Sequence, residues 1–155
     1  MSRKRRLQRR GTTAVEAAIV LPIFLVFLIS LMEYGRMVMM DNALTAACRQ
    51  AARYGATEGV STSDVTTRVQ DILDSTMDIE QLSVLVKDAS VFDSGGEIPL
   101  DTEAIDNMSN LELGSSDSRQ LFCVHASVAY NNVAMLPLPF TSGVVLTGTS
   151  YMRHE

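Results

Sequence analysis

At 155 residues the chain has room for one small domain beyond its N-terminal stretch, and not for two. The formal net charge is -5, but it is unevenly placed: Arg3, Lys4, Arg5, Arg6, Arg9 and Arg10 crowd the first ten positions, whereas the chain after Met40 holds 16 acids against six bases. Two cysteines, Cys48 and Cys123, exclude a cysteine-rich scaffold and allow at most one disulfide.

The basic run lacks interleaved aromatic residues and abuts an apolar segment, so no nucleic-acid partner is expected. That segment, residues 11–32, reads GTTAVEAAIVLPIFLVFLISLM, and over residues 14–32 its only polar interruptions are Glu16 and Ser30. A bilayer span needs about 20 mostly apolar residues, which this run just supplies. Because Lys and Arg are retained on the cytoplasmic side, the basic leader places the N-terminus inside and the bulk of the chain outside. A secretory signal peptide would want a small-residue cut site directly after the apolar core, where this chain has Met32, Glu33, Tyr34, Gly35 and Arg36. Residues 45–48, Thr-Ala-Ala-Cys, only faintly resemble a lipoprotein cleavage box.

Glu16 has two readings. In one, Thr13 caps a helix start and Glu16 closes a capping box three residues on, an arrangement any membrane helix could use. In the other, a carboxylate at the edge of hydrocarbon is costly and marks a function. If the chain is cut after Gly11, the new ammonium of Thr12 on one copy can pair with Glu16 of its neighbour and set the register between packed subunits.

This order of basic leader, Gly11, four residues, Glu16 and a long apolar helix resembles the prepilin-peptidase site of type IV pilin-like proteins. More specifically, AVEAAIVLPIFLVFLISLMEYGR followed by ALTAACRQAARYGA resembles the TadE-like minor pilins of tight-adherence (Flp) pilus systems, also called pseudopilins. The resemblance covers residues 11–56 and extends to the ending SYMRHE, where a final strand runs to an Arg and a Glu. It departs from the major pilins at Ala17, where they usually carry an aromatic residue. The resemblance implies cleavage between Gly11 and Thr12 by a prepilin peptidase, with Glu16 setting register. It also implies a single-pass inner-membrane protein that assembles or primes a pilus. The implied partners are membrane lipid, other pilin or pseudopilin subunits, and the pilus assembly platform. A pseudopilin of a secretion machine would share this N-terminus, and a membrane-anchored binding domain would use the helix only as a tether.

Further along the chain, Pro22 removes a backbone hydrogen bond inside the apolar run and should bend the helix. Helical spacing continues through Leu44, Ala47, Cys48, Ala51, Ala52 and Gly55, so one helix is expected over residues 12–55, its membrane part about 14–32. Glu33 and Arg36 are spaced for an exposed pair, and Tyr34 suits the headgroup level. A second helix is expected over residues 63–77 from Val65, Val69, Ile72, Leu73 and Met77, with Ser61 or Ser63 at its start. Strands are expected over residues 82–91, 121–130 and 144–152. Phe122, Val124, Ala126, Val128 and Tyr130 should share one face, and Pro137 and Pro139 should break the connection between the last two strands.

The fold class predicted is α+β: a long N-terminal helix, part transmembrane and part extracytoplasmic, and a second helix, both packed on a small antiparallel sheet as in pilin-like proteins. The domains are a leader over residues 1–11, the long helix over 12–55 and an extracytoplasmic domain over 56–155. The last contains an acidic loop over about 93–119, with one short helix near 102–108 and no recognisable calcium-ligand spacing. His125 reads as a partly exposed sheet residue. With His125 and His154 as the only histidines, and no metal-cage or nucleophile spacing, neither an enzyme nor a cofactor is expected. Cys48 and Cys123 could each be a small core residue or could form a helix-to-sheet disulfide.

Overall fold

The computed structural model describes residues 2–75, 81–95, 102–136 and 141–155; of residues 2–12 the backbone alone is described. The chain divides into two compact units, Met1–Arg36 and Met37–Glu155. Helix α1, Ser2–Gly55, starts ten residues earlier than the sequence suggests and continues through Gly11 and Pro22. The leader is built of Arg, Lys, Leu and Gln, all good helix formers, and one glycine costs only about 1 kcal/mol relative to alanine. Thr13 therefore lies inside the helix, and the capping box with Glu16 is not formed.

Within the unit Met37–Glu155, the small-residue face of α1 is the one the spacing predicts: Leu44, Ala47, Cys48, Ala51 and Ala52 are all buried. Helix α2, Thr62–Asp74, packs Val65, Val69 and Leu73 into the same core. Its N-cap is Ser61, whose hydroxyl accepts from the Asp64 N–H while the Asp64 carboxylate accepts from the Ser61 N–H, a reciprocal box that satisfies otherwise orphaned donors. The helix ends at Asp74 with Ser75 as its cap; the expected continuation to Met77 falls outside the described residues.

Three strands, β1 (Ser83–Asp88), β2 (Leu121–Ala129) and β3 (Val145–Arg153), form an antiparallel sheet in that order. A five-residue helix α3, Thr102–Asp106, lies between β1 and β2. The architecture is thus α+β, and the three strands and the short helix fall within a few residues of their sequence positions. Pro137 and Pro139 lie outside the described residues.

Side chains alternate across a strand, so β2 has two faces to bury. Phe122, Val124, Ala126 and Val128 enter the main core with α1 and α2, joined by Tyr130 just beyond the strand. The opposite face carries Cys123, which packs with Ala89, Ile105, Phe92, Met108 and Tyr151. This second layer lies on the side away from the main core: α3 and the 3-10 turn Ser90–Ser94 cover it. The turn is tied to the end of β3 by Arg153 Nη2 against Asp93 Oδ1 at 2.5 Å, an exposed ion pair. Beneath α3 the buried Lys87 ammonium donates to the carbonyls of Asp106 (2.9 Å) and Met108 (3.1 Å), supplying partners at that helix's C-terminal end.

Thr62 joins α2 to the segment before β2. Its hydroxyl donates to the Leu111 carbonyl (2.8 Å) and accepts from the Leu113 N–H (3.0 Å), while its own N–H donates to Glu112 Oε1 (3.0 Å). The Thr62 and Gly114 N–H groups hold the Glu112 carboxyl below the usual carboxylate range.

Candidate membrane and assembly segment

In the unit Met1–Arg36 the apolar side chains of α1 stand exposed, from 37% at Ile29 to 68% at Ile23. A soluble core helix of this composition would be buried; here none of the most apolar window is. Among the described residues this is the one helix, Thr13–Gly55, long and apolar enough to cross a membrane. Its polar atoms are managed as hydrocarbon requires: Ser30 Oγ turns back to donate to the Val26 carbonyl at 2.8 Å. Pro22 sits inside the helix and contributes no N–H, which leaves the carbonyl one turn earlier without its usual donor.

Glu16 is exposed among these apolar residues. Gly11 and Thr12 are helical in backbone, so positions 12 and 16 stand one turn apart on one side of α1. Glu33 differs from the expected exposure: at 4% it is buried. Tyr34 is 64% exposed.

The two cysteines do not form a disulfide; both are free and buried. Cys48 belongs to the main core, where its thiol donates to the Gly148 carbonyl at 3.2 Å, whereas Cys123 belongs to the second layer. Strand alternation is the cause: β2 turns Phe122 and Val124 toward α1 and therefore turns Cys123 away from it. Burial pushes the Cys48 thiol up to about 12 and the Cys123 thiol up to about 11. Since the thiolate is the reactive form, iodoacetamide at pH 8 should leave both unmodified in the folded protein and alkylate both after denaturation. Mass spectrometry reads this directly, and modification of native Cys123 would contradict its burial.

His125 is 1% exposed rather than partly exposed. Its Nδ1 lies 2.8 Å from Thr149 Oγ1 on the neighbouring strand, and its Nε2 is buried without a hydrogen-bond partner. Burial lowers its pKa below 6.5, partly opposed by the Asp106 carboxylate. In the unfolded chain an imidazole keeps its ordinary value of about 6.5, so as pH falls below that value the unfolded state takes up the proton first. Stability is therefore full above about pH 6.5 and declines below it until the folded imidazole itself titrates. The unfolding midpoint of the detergent-solubilised protein should fall between pH 7.5 and 5.5, and His125→Asn, which keeps a polar atom near the Nδ1 position, should flatten that slope. An unchanged slope would assign the dependence elsewhere.

No group of three or more His, Cys, Asp or Glu side chains that could hold a metal is present among the described residues. What α1 offers is a surface, apolar over one stretch and carrying a single carboxylate near the start of that stretch, followed by a small α+β unit. That combination, one helix long and apolar enough to span a bilayer followed by a small α+β unit, fits a membrane anchor. Compared with known families, residues 11–53 match the family described as TadE-like protein. The chain thus carries a TadE-like segment, consistent with a TadE-like protein of the Tad/Flp pilus system, and the match ends before α2 and the sheet. No curated protein and no solved structure matches the chain.

Proposed function

We propose that this protein is a TadE-like minor pilin, anchored in the bacterial inner membrane with its N-terminus cytoplasmic, that takes part in assembling or priming a tight-adherence pilus. The observation that carries the reading is a coincidence of position. The TadE-like match begins at Gly11 and includes Glu16 and the exposed apolar stretch of α1. In this reading a prepilin peptidase cuts between Gly11 and Thr12, Glu16 receives the freed amine of a neighbouring subunit, and Pro22 bends the helix where subunits pack. Lipid, sister subunits and the assembly platform are then the partners, and the protein works by packing rather than by catalysis.

N-terminal sequencing of the membrane-extracted protein tests the reading. A chain beginning at Thr12 is the expected result. A chain that keeps its basic leader in cells containing the peptidase would favour a binding domain on a plain anchor.

A further inference from the structure

We propose that the open edge of strand β1 binds an extended, basic segment of another polypeptide, which joins the sheet as an added strand. The site lies wholly within the unit Met37–Glu155, so it holds whether or not the protein enters a pilus.

Among the described residues β1 is an edge of the sheet, hydrogen-bonded to β2 on one side. Backbone groups of successive residues in an antiparallel strand face opposite edges. In β1 two bonds identify the outward set: the Asp88 N–H donates to the Ser109 carbonyl at 2.8 Å, and the Val86 carbonyl accepts from the Leu111 N–H at 3.2 Å. By the same alternation the Val86 N–H and both backbone groups of Val84 also face outward, and among the described residues none of the three has a hydrogen-bond partner. The chain's own covering segment stops short of them. Thr62 holds the Leu111 carbonyl and the Leu113 N–H on its hydroxyl, which ends the pairing as the chain turns into the 3-10 turn Leu113–Ser115. A groove of about 350 Å³ is left along the edge, lined by residues 84–86, by Thr62 and Thr66 of α2, and by residues 110–112.

Two N–H groups and one carbonyl spaced along an edge are met by the acceptors and donor of another extended backbone, the mode by which peptides add to sheets. Natural proteins blunt an edge that stays solvated with Lys, Pro or an inward-pointing charge, and residues 82–86, Leu-Ser-Val-Leu-Val, carry none of these. Charge then selects the guest. Glu112 stands exposed at the groove, its carboxylate fixed by the Thr62 N–H at 3.0 Å, and Asp64 is near enough to act on it electrostatically. None of the residues lining the groove is basic. A guest strand carrying Lys or Arg is therefore favoured. A second copy of this chain is a poor donor of one, because after Met40 it holds 16 acids against six bases.

Saturation-transfer NMR on the detergent-solubilised full-length protein tests this. The probe is an acetylated and amidated pentapeptide, Thr-Val-Lys-Val-Thr, at up to about 5 mM, a range that reaches weak binding. It should bind, and a second peptide with Glu in place of Lys should bind about two- to fivefold more weakly, the effect of an exposed ion pair. Glu112→Gln, whose amide oxygen still accepts from Thr62, should narrow that difference. Val84→Pro removes an outward N–H and no bond to β2, a change an edge strand accepts, and should abolish binding. If that variant fails to fold, a peptide methylated on its backbone nitrogens takes its place, since it cannot donate to the Val84 carbonyl, and it should not bind. Absence of binding by the Lys peptide overturns the proposal, as does binding that survives Val84→Pro or backbone methylation. Equal affinity of the Lys and Glu peptides overturns the basic guest. A Val84 amide whose hydrogen exchange slows as protein concentration rises without peptide also overturns it, because a second copy then holds the edge.

Discussion

Replacing Gly148 with alanine should destabilise the unit Met37–Glu155 by about 3 kcal/mol or more, at or above the top of the range for overpacked cores. A Cβ at this position would stand 2.5 Å from the Leu44 carbonyl carbon, 2.6 Å from the Thr45 nitrogen and 2.7 Å from the Leu44 oxygen. All three are backbone atoms of α1 and cannot rotate away, so helix and strand must separate. Separation also pulls the Cys48 thiol from the Gly148 carbonyl and opens the main core between Leu44 and Ala126, the residue paired with Gly148 across the sheet. Gly55→Ala is the informative comparison. There the new Cβ would meet Val65 Cγ2 at 2.7 Å and Leu113 Cδ1 at 3.1 Å, which are side-chain ends that can shift. Alanine in place of glycine also gains about 1 kcal/mol of helix propensity. Thermal unfolding of the detergent-solubilised variants should show a large loss for Gly148→Ala and a much smaller one for Gly55→Ala. Equal losses would mean that the strand does not sit against the helix backbone as described.

Glu16→Ala should abolish incorporation into pili while leaving membrane insertion intact. The substitution removes the single acid from the exposed apolar stretch of residues 13–32, and a charged side chain inside a span opposes insertion. Insertion should therefore proceed at least as well without it. On the proposed reading, what is lost is the acceptor for a neighbour's amine, which no apolar residue would replace. Glu16→Asp, which keeps the charge on a shorter stem, should retain part of the function, whereas Glu16→Gln should behave much as alanine does. Membrane fractionation together with quantification of sheared pili separates the two steps. Normal pili in the alanine variant would sink the register role and leave the carboxylate without an assigned task.

Local patterns carried most of the fold. The helical spacing of Val65, Val69 and Leu73, the serine at position 61 and the alternation from Phe122 to Val128 each need only near neighbours, and each has its expected place. What sequence did not reveal depends on contacts between distant segments. The second layer over Cys123 comes from Ile105 and Phe92, on a short helix and turn with too few residues to show a period, so His125 looked half-open when it is covered. Of the two fates open to Cys48 and Cys123, the structure shows buried core residues; a bond would need both thiols on one face of the sheet, which strand register decides. Thr62 gave no signal at all, since its partners at 111–113 lie some fifty residues away. The start of α1 was misplaced for a different reason: glycine and a capping residue suggested a boundary that a run of helix-favouring basic residues overrides. The positions expected to matter for assembly, Gly11, Thr12 and Glu16, came from a motif rather than from packing.

The unbonded cysteines bear on how the protein matures. A fold that closes without sulfur oxidation asks nothing of a thiol oxidase, so loss of such an enzyme, or added reductant, should leave its yield unchanged. The same property leaves a convenient blank background: any cysteine placed on the surface by mutagenesis would be the one that labels.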